Sequence, residues 1–223
     1  MRICLIIPAF NEEKSIMAVV NDIETNLNQC DYVVINDCST DSTKLILEKK
    51  GINHVTLPVN VGLSGAVQTG FKYAYENKYD CAIQFDGDGQ HQAKYVMELS
   101  REIAKGNDIV IGSRFVTEKK DFSMRMIGSR IISTLIKLKT GVFINDPTSG
   151  MRMFNREMMK DYAYNINRKP EPETLVYQLK NGRKIKEIQV EMNEREGGIS
   201  LYSSVFASLK YMIKTIIAIV FIY

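Results

Sequence analysis

Short apolar segments alternate with amphipathic ones through the first half of the chain. We predict strands at 2–8, 32–37, 54–58, 79–86 and 107–114, and helices at 12–27, 41–50, 63–77 and 93–106. Asn11 is a candidate N-cap for the first helix, and Gly51 is a candidate stop signal for the second. Apolar strands that alternate with helices are typical of a mostly parallel sheet covered by helices on both faces. The pattern therefore predicts an α/β fold.

The alternation ends after Arg114, where a polar loop begins. A helix is predicted at 124–141, a strand at 150–154, a second helix at 171–182, a strand at 184–192 and a charged, glycine-rich loop at 193–200. The chain then closes on a long apolar stretch. We expect one large domain over residues 1–202 and a C-terminal amphipathic helix over 203–223.

Composition narrows the class of protein. Of 223 residues, 45% are hydrophobic and 25% are charged, which is ordinary for a soluble domain with a sizeable core. The net charge of +3 is too small to favour nucleic-acid binding, and from the opening residues we expect no signal peptide. The cysteines and histidines are Cys4, Cys30, Cys38, Cys81, His54 and His91. Their spacing matches neither a C-x-x-C pair nor a zinc site, so we expect reduced thiols in the cytosol.

The stretch FDGDGQHQ follows the predicted strand 79–86 and places Asp86 and Asp88 where a strand meets a loop. A plain turn is one interpretation, since Asp and Gly are common turn residues. An EF-hand loop is excluded, because positions six and twelve, counted from Asp86, are His91 and Met97. A D-x-D site for a metal ion and a diphosphate is the remaining interpretation, since a divalent cation takes carboxylate oxygens and leaves room for phosphate.

Other strand ends carry polar or special residues as well. The segment 8–12 follows the first strand, Asp37 ends the second, and Arg114 ends the fifth. The carboxyl ends of parallel strands form the edge at which ligands bind in open α/β sheets. Asp37 has a plainer interpretation as the N-cap of the helix that follows it.

The motifs PAFNE, NDCSTDST, NVGLSG, DGDGQH, GSR, DPTSGMRMF and REGGIS occur in this order. Together they resemble the family 2 glycosyltransferases, in the branch of dolichyl-phosphate mannosyltransferases and bacterial polyprenyl-phosphate glycosyltransferases. The resemblance extends from Ile3 to about Ser200. It implies a GT-A fold, which is a Rossmann-like, mostly parallel sheet with helices on both faces.

The resemblance also implies roles for individual residues. The nucleotide sugar would contact Pro8, Ala9, Phe10, Glu12, Asp37, Asp86, Gly87, Arg114 and Arg195. A Mg²⁺ or Mn²⁺ cofactor would be held by Asp86, Asp88 and Gln90. Asp88, through the metal, and Arg114 would act in catalysis by stabilising charge on the leaving diphosphate. One position departs from the family: Leu201 stands where many relatives have Lys, so one phosphate contact is absent or comes from another cation.

The acceptor determines whether a general base is needed. Arg125 and Ser129 match positions that face the lipid phosphate in the mannosyltransferase branch, and Arg130 adds a cation; an exposed helix face is the alternative interpretation. A hydroxyl acceptor must instead lose a proton, for which Asp146 and Glu173 are the candidate catalytic bases. Glu171 and Glu173 also fit a simple role as first-turn acids that stabilise a helix start.

The C-terminal segment suggests that the protein contacts a membrane or a membrane protein. The uncharged run at 215–223 is only nine residues long, because Lys210 and Lys214 interrupt any longer window, whereas a spanning helix needs about 20 apolar residues. We expect a helix that lies on the membrane surface or docks onto a small membrane protein, with a C-terminal core helix as the alternative.

With this resemblance, the observations predict a transferase that moves a sugar from a UDP- or GDP-sugar to a polyprenyl phosphate at the cytoplasmic face of the membrane. The resemblance implies that the reaction inverts the configuration of the sugar. A family 2 enzyme that acts on a hydroxyl of a surface polysaccharide is the second hypothesis. A GT-A scaffold without activity is the third, and the retained Asp86, Asp88, Gln90, Arg114 and Arg195 argue against it.

Overall fold

The computed structural model describes residues 1–121, 123–165, 169–193 and 205–222. The strands are β1 (Ile3–Ala9), β2 (Asp31–Asn36), β3 (His54–Thr56), β4 (Cys81–Gln84), β5 (Ile109–Ser113), β6 (Arg152–Asn155) and β7 (Ile185–Gln189). The helices are α1 (Ile16–Asn26), α2 (Thr43–Lys49), α3 (Gly62–Glu76), α4 (Val96–Ala104), α5 (Met124–Thr140), α6 (Arg156–Tyr164), α7 (Pro172–Lys180) and α8 (Val205–Ile217). A short 3₁₀ turn precedes α4, and a π-helical turn follows α8.

The seven strands form one sheet in the order β3-β2-β1-β4-β6-β5-β7. Strand β6 pairs antiparallel with β4 and β5, and the other neighbours pair in parallel. The predicted α/β class and mostly parallel sheet are confirmed. Since β6 lies antiparallel between β4 and β5, those two strands still end at the same edge as β1 and β2.

Two hydrophobic cores lie on opposite faces of the sheet. One core holds side chains of α1 and α4, such as Val20 and Leu99. The other holds side chains of α3, α5, α6 and α7, including Phe71 and Tyr162, and extends to Ile219 near the end of the described chain. Side chains that alternate along β1 supply both cores, so the sheet is covered on both faces.

Two helices, α1 and α6, differ from the prediction by more than a small shift of their ends. Helix α1 begins at Ile16, not directly after Asn11, so the N-cap assigned to Asn11 is wrong. Asn11 has a left-handed backbone (φ 57°), and its side-chain oxygen accepts hydrogen bonds from the backbone N–H groups of Thr40 and Asp41. Helix α6 was not predicted; it follows β6 directly, with the Asn155 side chain capping its first turn. Gly51 ends α2 as expected, with φ 64°.

Helix α8 packs against α5 and α7. Thr215, Ala218 and Ile219 are buried, and Met212 lies so close to Gly128 of α5 that a Cβ there would overlap its sulfur. Leu209 and Ile213, by contrast, are more than 40% exposed. The helix thus has a buried face and an exposed apolar face. In the parts of the chain that the structure describes, none of the helices is both long and apolar enough to cross a bilayer.

The contact between α3 and β1 gives a test of the packing. A Cβ at Gly70 would lie 2.1 Å from Cγ2 of Ile6, which is fully buried. We predict that Gly70→Ala lowers the free energy of unfolding by about 1–3 kcal/mol, although alanine favours helix. Urea unfolding measures the effect, with Lys72→Ala, at an exposed position on the same helix, as the control. Equal stabilities of the two variants would show that α3 and β1 can move apart at no cost in free energy.

Candidate active site

A cavity of about 350 Å³ opens at the carboxyl edge of the sheet, lined by the segments that follow β1, β2, β4 and β5. The residues assigned to the nucleotide sugar that line it are Pro8, Ala9, Phe10, Glu12, Asp37, Asp86, Gly87 and Arg114. Asp88 and Gln90 of the predicted metal site line it as well. The fold therefore gathers the described donor and metal residues at one place, and their individual roles stay predictions.

Other predicted residues lie elsewhere. Asp146, Glu173, Ser129 and Arg130 are outside the lining of this cavity. Of Arg125 the structure describes the helical backbone alone, and Arg195 lies outside the described residues, as do Ser200 and Leu201.

Asp37 holds the start of α3 against the cavity. Its two carboxylate oxygens accept hydrogen bonds from the backbone N–H groups of Val61 and Gly62, both at 2.8 Å. These are N–H groups at a helix start, which lack partners within the helix. Asp37 thus caps a helix, but α3 and not the following helix α2, and it lines the cavity at the same time.

The carboxylate of Asp86 is held from two sides. Gln84 Nε2 donates a hydrogen bond to its Oδ1 at 3.0 Å, and His91 Nε2 lies 3.6 Å from its Oδ2. The backbone N–H of Asp86 donates to His91 Nδ1, so the neutral imidazole carries its proton on Nε2, the nitrogen next to the carboxylate. A Cβ at Gly150 would lie only 2.8 Å from Oδ2, which explains a glycine at this position.

Asp88 and Gln90 complete the turn. The backbone N–H of Gln90 donates to Asp88 Oδ1 at 3.1 Å, and Asp88 is 4% exposed. Across the described residues, no three His, Cys, Asp or Glu side chains converge as a preformed metal cluster. Two carboxylates and an amide at the wall of an open cavity still suit Mg²⁺ or Mn²⁺, since such ions take the rest of their oxygen ligands from diphosphate and water.

Arg114 and Asp146 form an ion pair beside the cavity. Arg114 Nε and Nη2 donate to the two Asp146 oxygens at 2.7 and 2.9 Å. Asp146 is fully buried. Burial would raise the pKa of its carboxyl group, but the hydrogen bonds and the charge of Arg114 hold that pKa below its ordinary value. Asp146 itself is outside the cavity lining, but its two hydrogen bonds orient the guanidinium of Arg114, which lines the cavity.

Two of the predicted acceptor residues, Ser129 and Arg130, contact Lys120. Its Nζ donates to Ser129 Oγ at 2.8 Å and lies 3.4 Å from Ser133 Oγ, while Arg130 donates to the Lys120 carbonyl. Ser129 is 2% exposed. Burial lowers the pKa of Lys120 to about 8, which Asp146 and Glu187 partly counteract. Lys120, which the sequence did not single out, joins Arg114 and Arg130 in a basic cluster beside the cavity.

Glu173 differs from its neighbour Glu171. Burial raises the pKa of Glu173, and among the described residues its buried Oε2 has no hydrogen-bond partner. It does not line the cavity, whereas Glu171 does. Further lining residues that the sequence did not reveal are Gln84, His91, Arg152, Ser64 and Tyr211. The GQH tripeptide beside the aspartates was the visible signal for His91; the other positions depend on tertiary contacts.

The fold and the cavity define a class of protein. A sheet of this topology, with a D-x-D pair at its carboxyl edge beside a cavity large enough for a small ligand, is the GT-A arrangement of glycosyltransferases. The model of the family described as Glycosyl transferase family 2 matches residues 4–163, and the chain belongs to this family.

Two named relatives and a solved structure are similar to most of the chain. A UDP-N-acetylglucosamine–dolichyl-phosphate N-acetylglucosaminyltransferase of Methanococcus voltae is 28% identical over 93% of this chain and 92% of that protein. A polyprenol monophosphomannose synthase of Mycolicibacterium smegmatis is 27% identical over 91% and 81%. The structure of glucosyl-3-phosphoglycerate synthase from Mycobacterium tuberculosis with Mn²⁺, UDP and glucosyl-3-phosphoglycerate has the same fold, with a TM-score of 0.73 and 18% identity over 98% of this chain and 79% of that one.

The pKa of Lys120 leads to a prediction about stability. An unfolded lysine keeps its proton to about pH 10.4, whereas folded Lys120 loses it near 8, so the unfolded state binds more protons between these values. Stability contributed by this residue should therefore rise with pH across that window. We predict that wild type gains stability relative to Lys120→Met when urea unfolding is compared at pH 7.5 and 9.5.

The matched control for this prediction is Lys119→Met, an exposed neighbour, whose stability relative to wild type should not change with pH. If the stability difference between wild type and Lys120→Met is also the same at both pH values, the Lys120 ammonium is in contact with water and the prediction is wrong.

Proposed function

We propose that this chain transfers a sugar from a nucleotide diphosphate sugar, with UDP or GDP as the nucleotide, to a polyprenyl phosphate. The observation that carries the proposal is the Asp86–Asp88 turn at the wall of the cavity, next to the segments that follow β1 and β2. The chain's relatives named as dolichyl- and polyprenyl-phosphate transferases support the acceptor class.

Different residues of this chain would bind different parts of the nucleotide sugar. The base and ribose would lie against the segment 8–12 and Asp37, and the diphosphate would lie near the D-x-D turn. Asp86, Asp88 and Gln90 would hold Mg²⁺ or Mn²⁺. When bound, the cation supplies positive charge that stabilises the leaving diphosphate. Arg114, oriented by Asp146, adds a guanidinium whose planar set of donors fits phosphate oxygens.

The reaction is a direct displacement. An oxygen of the acceptor phosphate forms a bond to the anomeric carbon, while the bond from that carbon to the β-phosphate oxygen breaks and its electron pair leaves with the nucleotide diphosphate. Attack from the opposite side inverts the configuration. An acceptor phosphate is already anionic, so no general base is needed. In agreement with this, the two bases considered for a hydroxyl acceptor, Asp146 and Glu173, lie outside the cavity lining.

A hydroxyl acceptor in a polysaccharide is the second candidate function. The observation that favours it is Glu171, a carboxylate in the cavity lining that is able to accept a proton. The product separates the two functions, since a polyprenyl-linked sugar extracts into organic solvent and a polysaccharide does not.

A membrane surface is the proposed location of the acceptor. The packed helices α5 and α8 carry several exposed apolar side chains: Ile127, Ile131, Leu138, Leu209, Ile213 and Ile217. Lys210 and Lys214 are exposed on α8 as well. Exposed apolar residues with lysines beside them suit a helix that lies in the headgroup region, with the lysines reaching the phosphates. We propose that the enzyme acts at the cytoplasmic face, where nucleotide sugars are available.

The metal site gives the first test of this function. Asp88→Asn removes one proposed ligand charge, so transfer of labelled sugar to undecaprenyl phosphate should fall by about 100-fold or more. Mn²⁺-dependent tightening of nucleotide-sugar binding, measured by calorimetry, should be lost as well. Glu98→Gln, an exposed acid on α4, is the control. Full activity of Asp88→Asn would remove the residue from the site, and a wild type that never uses a polyprenyl phosphate would exclude the proposed acceptor.

Vesicle binding tests the membrane surface. We predict that Ile213→Gln with Ile217→Gln releases most of the protein from vesicles containing anionic lipid, because both apolar side chains would lose their place in the bilayer. Leu45→Gln with Val59→Gln is the matched control, since Leu45 and Ile213 are both 49% exposed. Equal sedimentation of the two double variants would contradict a membrane role for α8.

A further inference from the structure

Three separate elements meet around one carboxylate in the cavity wall. Glu171, just before α7, accepts a hydrogen bond from Ser64 of α3 at 2.7 Å on Oε1 and one from Tyr211 of α8 at 2.8 Å on Oε2. All three residues line the cavity. Glu171 is thus fixed by hydroxyl groups from two different helices, and one of these helices is the C-terminal one.

The surrounding contacts hold this arrangement in place. Arg152, which is 2% exposed, donates to the carbonyl groups of Ser149 at 2.8 Å and Pro170 at 3.3 Å. It therefore links the residue before Glu171 to the segment that contains Gly150, whose backbone lies against Asp86. Glu171 is connected in this way to the D-x-D turn, and its position relative to that turn is set by a buried side chain.

The charge of Glu171 indicates which part of a ligand it meets. A carboxylate repels a diphosphate, and it accepts hydrogen bonds but donates none. It has about four lone-pair positions, of which Ser64 and Tyr211 use two, so positions remain for further donors. The hydroxyl groups of a sugar are donors of this kind, and the sugar is the part of the donor that extends beyond the diphosphate.

We propose, on the basis of the function proposed above, that Glu171 binds hydroxyl groups of the transferred sugar and that Tyr211 is a positioning residue that holds Glu171 for this contact. The C-terminal helix is then a wall of the active site as well as a candidate membrane surface. Tyr211 faces the cavity, and Ile213 and Ile217, on the same helix, are exposed. A shift of α8 would therefore move the residue that orients Glu171.

Comparison of a nucleotide sugar with its free nucleotide isolates this contact. Calorimetry with Mn²⁺ would first identify which of UDP-glucose, UDP-N-acetylglucosamine and GDP-mannose binds wild type most tightly. Glu171→Gln should weaken binding of that nucleotide sugar by about tenfold, and Tyr211→Phe should weaken it by about three- to tenfold. Both variants should bind free UDP or GDP within about twofold of wild type. The double variant should bind no more weakly than Glu171→Gln, because Tyr211 acts through Glu171.

Tyr164→Phe is the matched control, since its hydroxyl also donates to a glutamate, Glu76, but on the exposed surface outside the cavity lining. Ser64→Ala should reproduce the loss from the opposite side of Glu171 without touching α8, and it replaces Tyr211→Phe if that variant does not fold. Unchanged nucleotide-sugar binding, equal losses for nucleotide and nucleotide sugar, or additive losses would overturn the inference while the proposed function stands. A wild type that binds none of these nucleotide sugars would overturn both.

Discussion

The antiparallel pairing of β6 with both β4 and β5 determines which residues meet in the cavity. Arg152, at the start of β6, pairs with Gln84 near the end of β4 and with Ile111 in β5. Because β6 runs in the opposite direction, its start lies where its neighbours end. The segment 146–151 therefore lies beside Asp86 and Arg114, and Gly150 and the buried Arg152, which follows the segment, complete the wall of the cavity. A parallel β6 would place this segment at the other edge of the sheet.

Several charged side chains lie together at the carboxyl edge of the sheet, and burying a charge without a partner is costly. Three of the acidic groups there have defined partners: Asp37 has the first N–H groups of α3, Asp86 has Gln84 and His91, and Asp146 has Arg114. These contacts fix the carboxylates before any ligand binds. Groups that are already oriented need little reorganisation when charge develops on a ligand, which is the physical basis of electrostatic catalysis.

Much of this arrangement could be predicted from the chain itself, and the exceptions share one cause. Apolar runs revealed all seven strands, and the motif order indicated the residues after β1, β2 and β4, since strand ends and turns are encoded locally. Helix α6 was missed because its sequence, REMMKDYAY, is polar and follows β6 without a loop. Glu173, and not Glu171, was named as a candidate base, because the sequence around a helix start does not show which of two nearby acids faces a cavity. Tyr211 is 40 residues from Glu171 in sequence, and only the packing of α8 brings them together.

Helix α8 shows why hydropathy alone left two interpretations of the chain end. A core helix and an interfacial helix are both amphipathic, and α8 has the features of each: Thr215 and Ile219 are buried, while Leu209, Ile213 and Ile217 recur at four-residue spacing and are exposed. The burial of one face explains how the helix is held without a membrane. Among the described residues, this exposed face packs against none of the core side chains, and moving apolar surface of this kind out of water lowers the free energy. A bilayer would provide that environment without displacing the buried face, so membrane contact and an intact cavity wall are compatible in one helix.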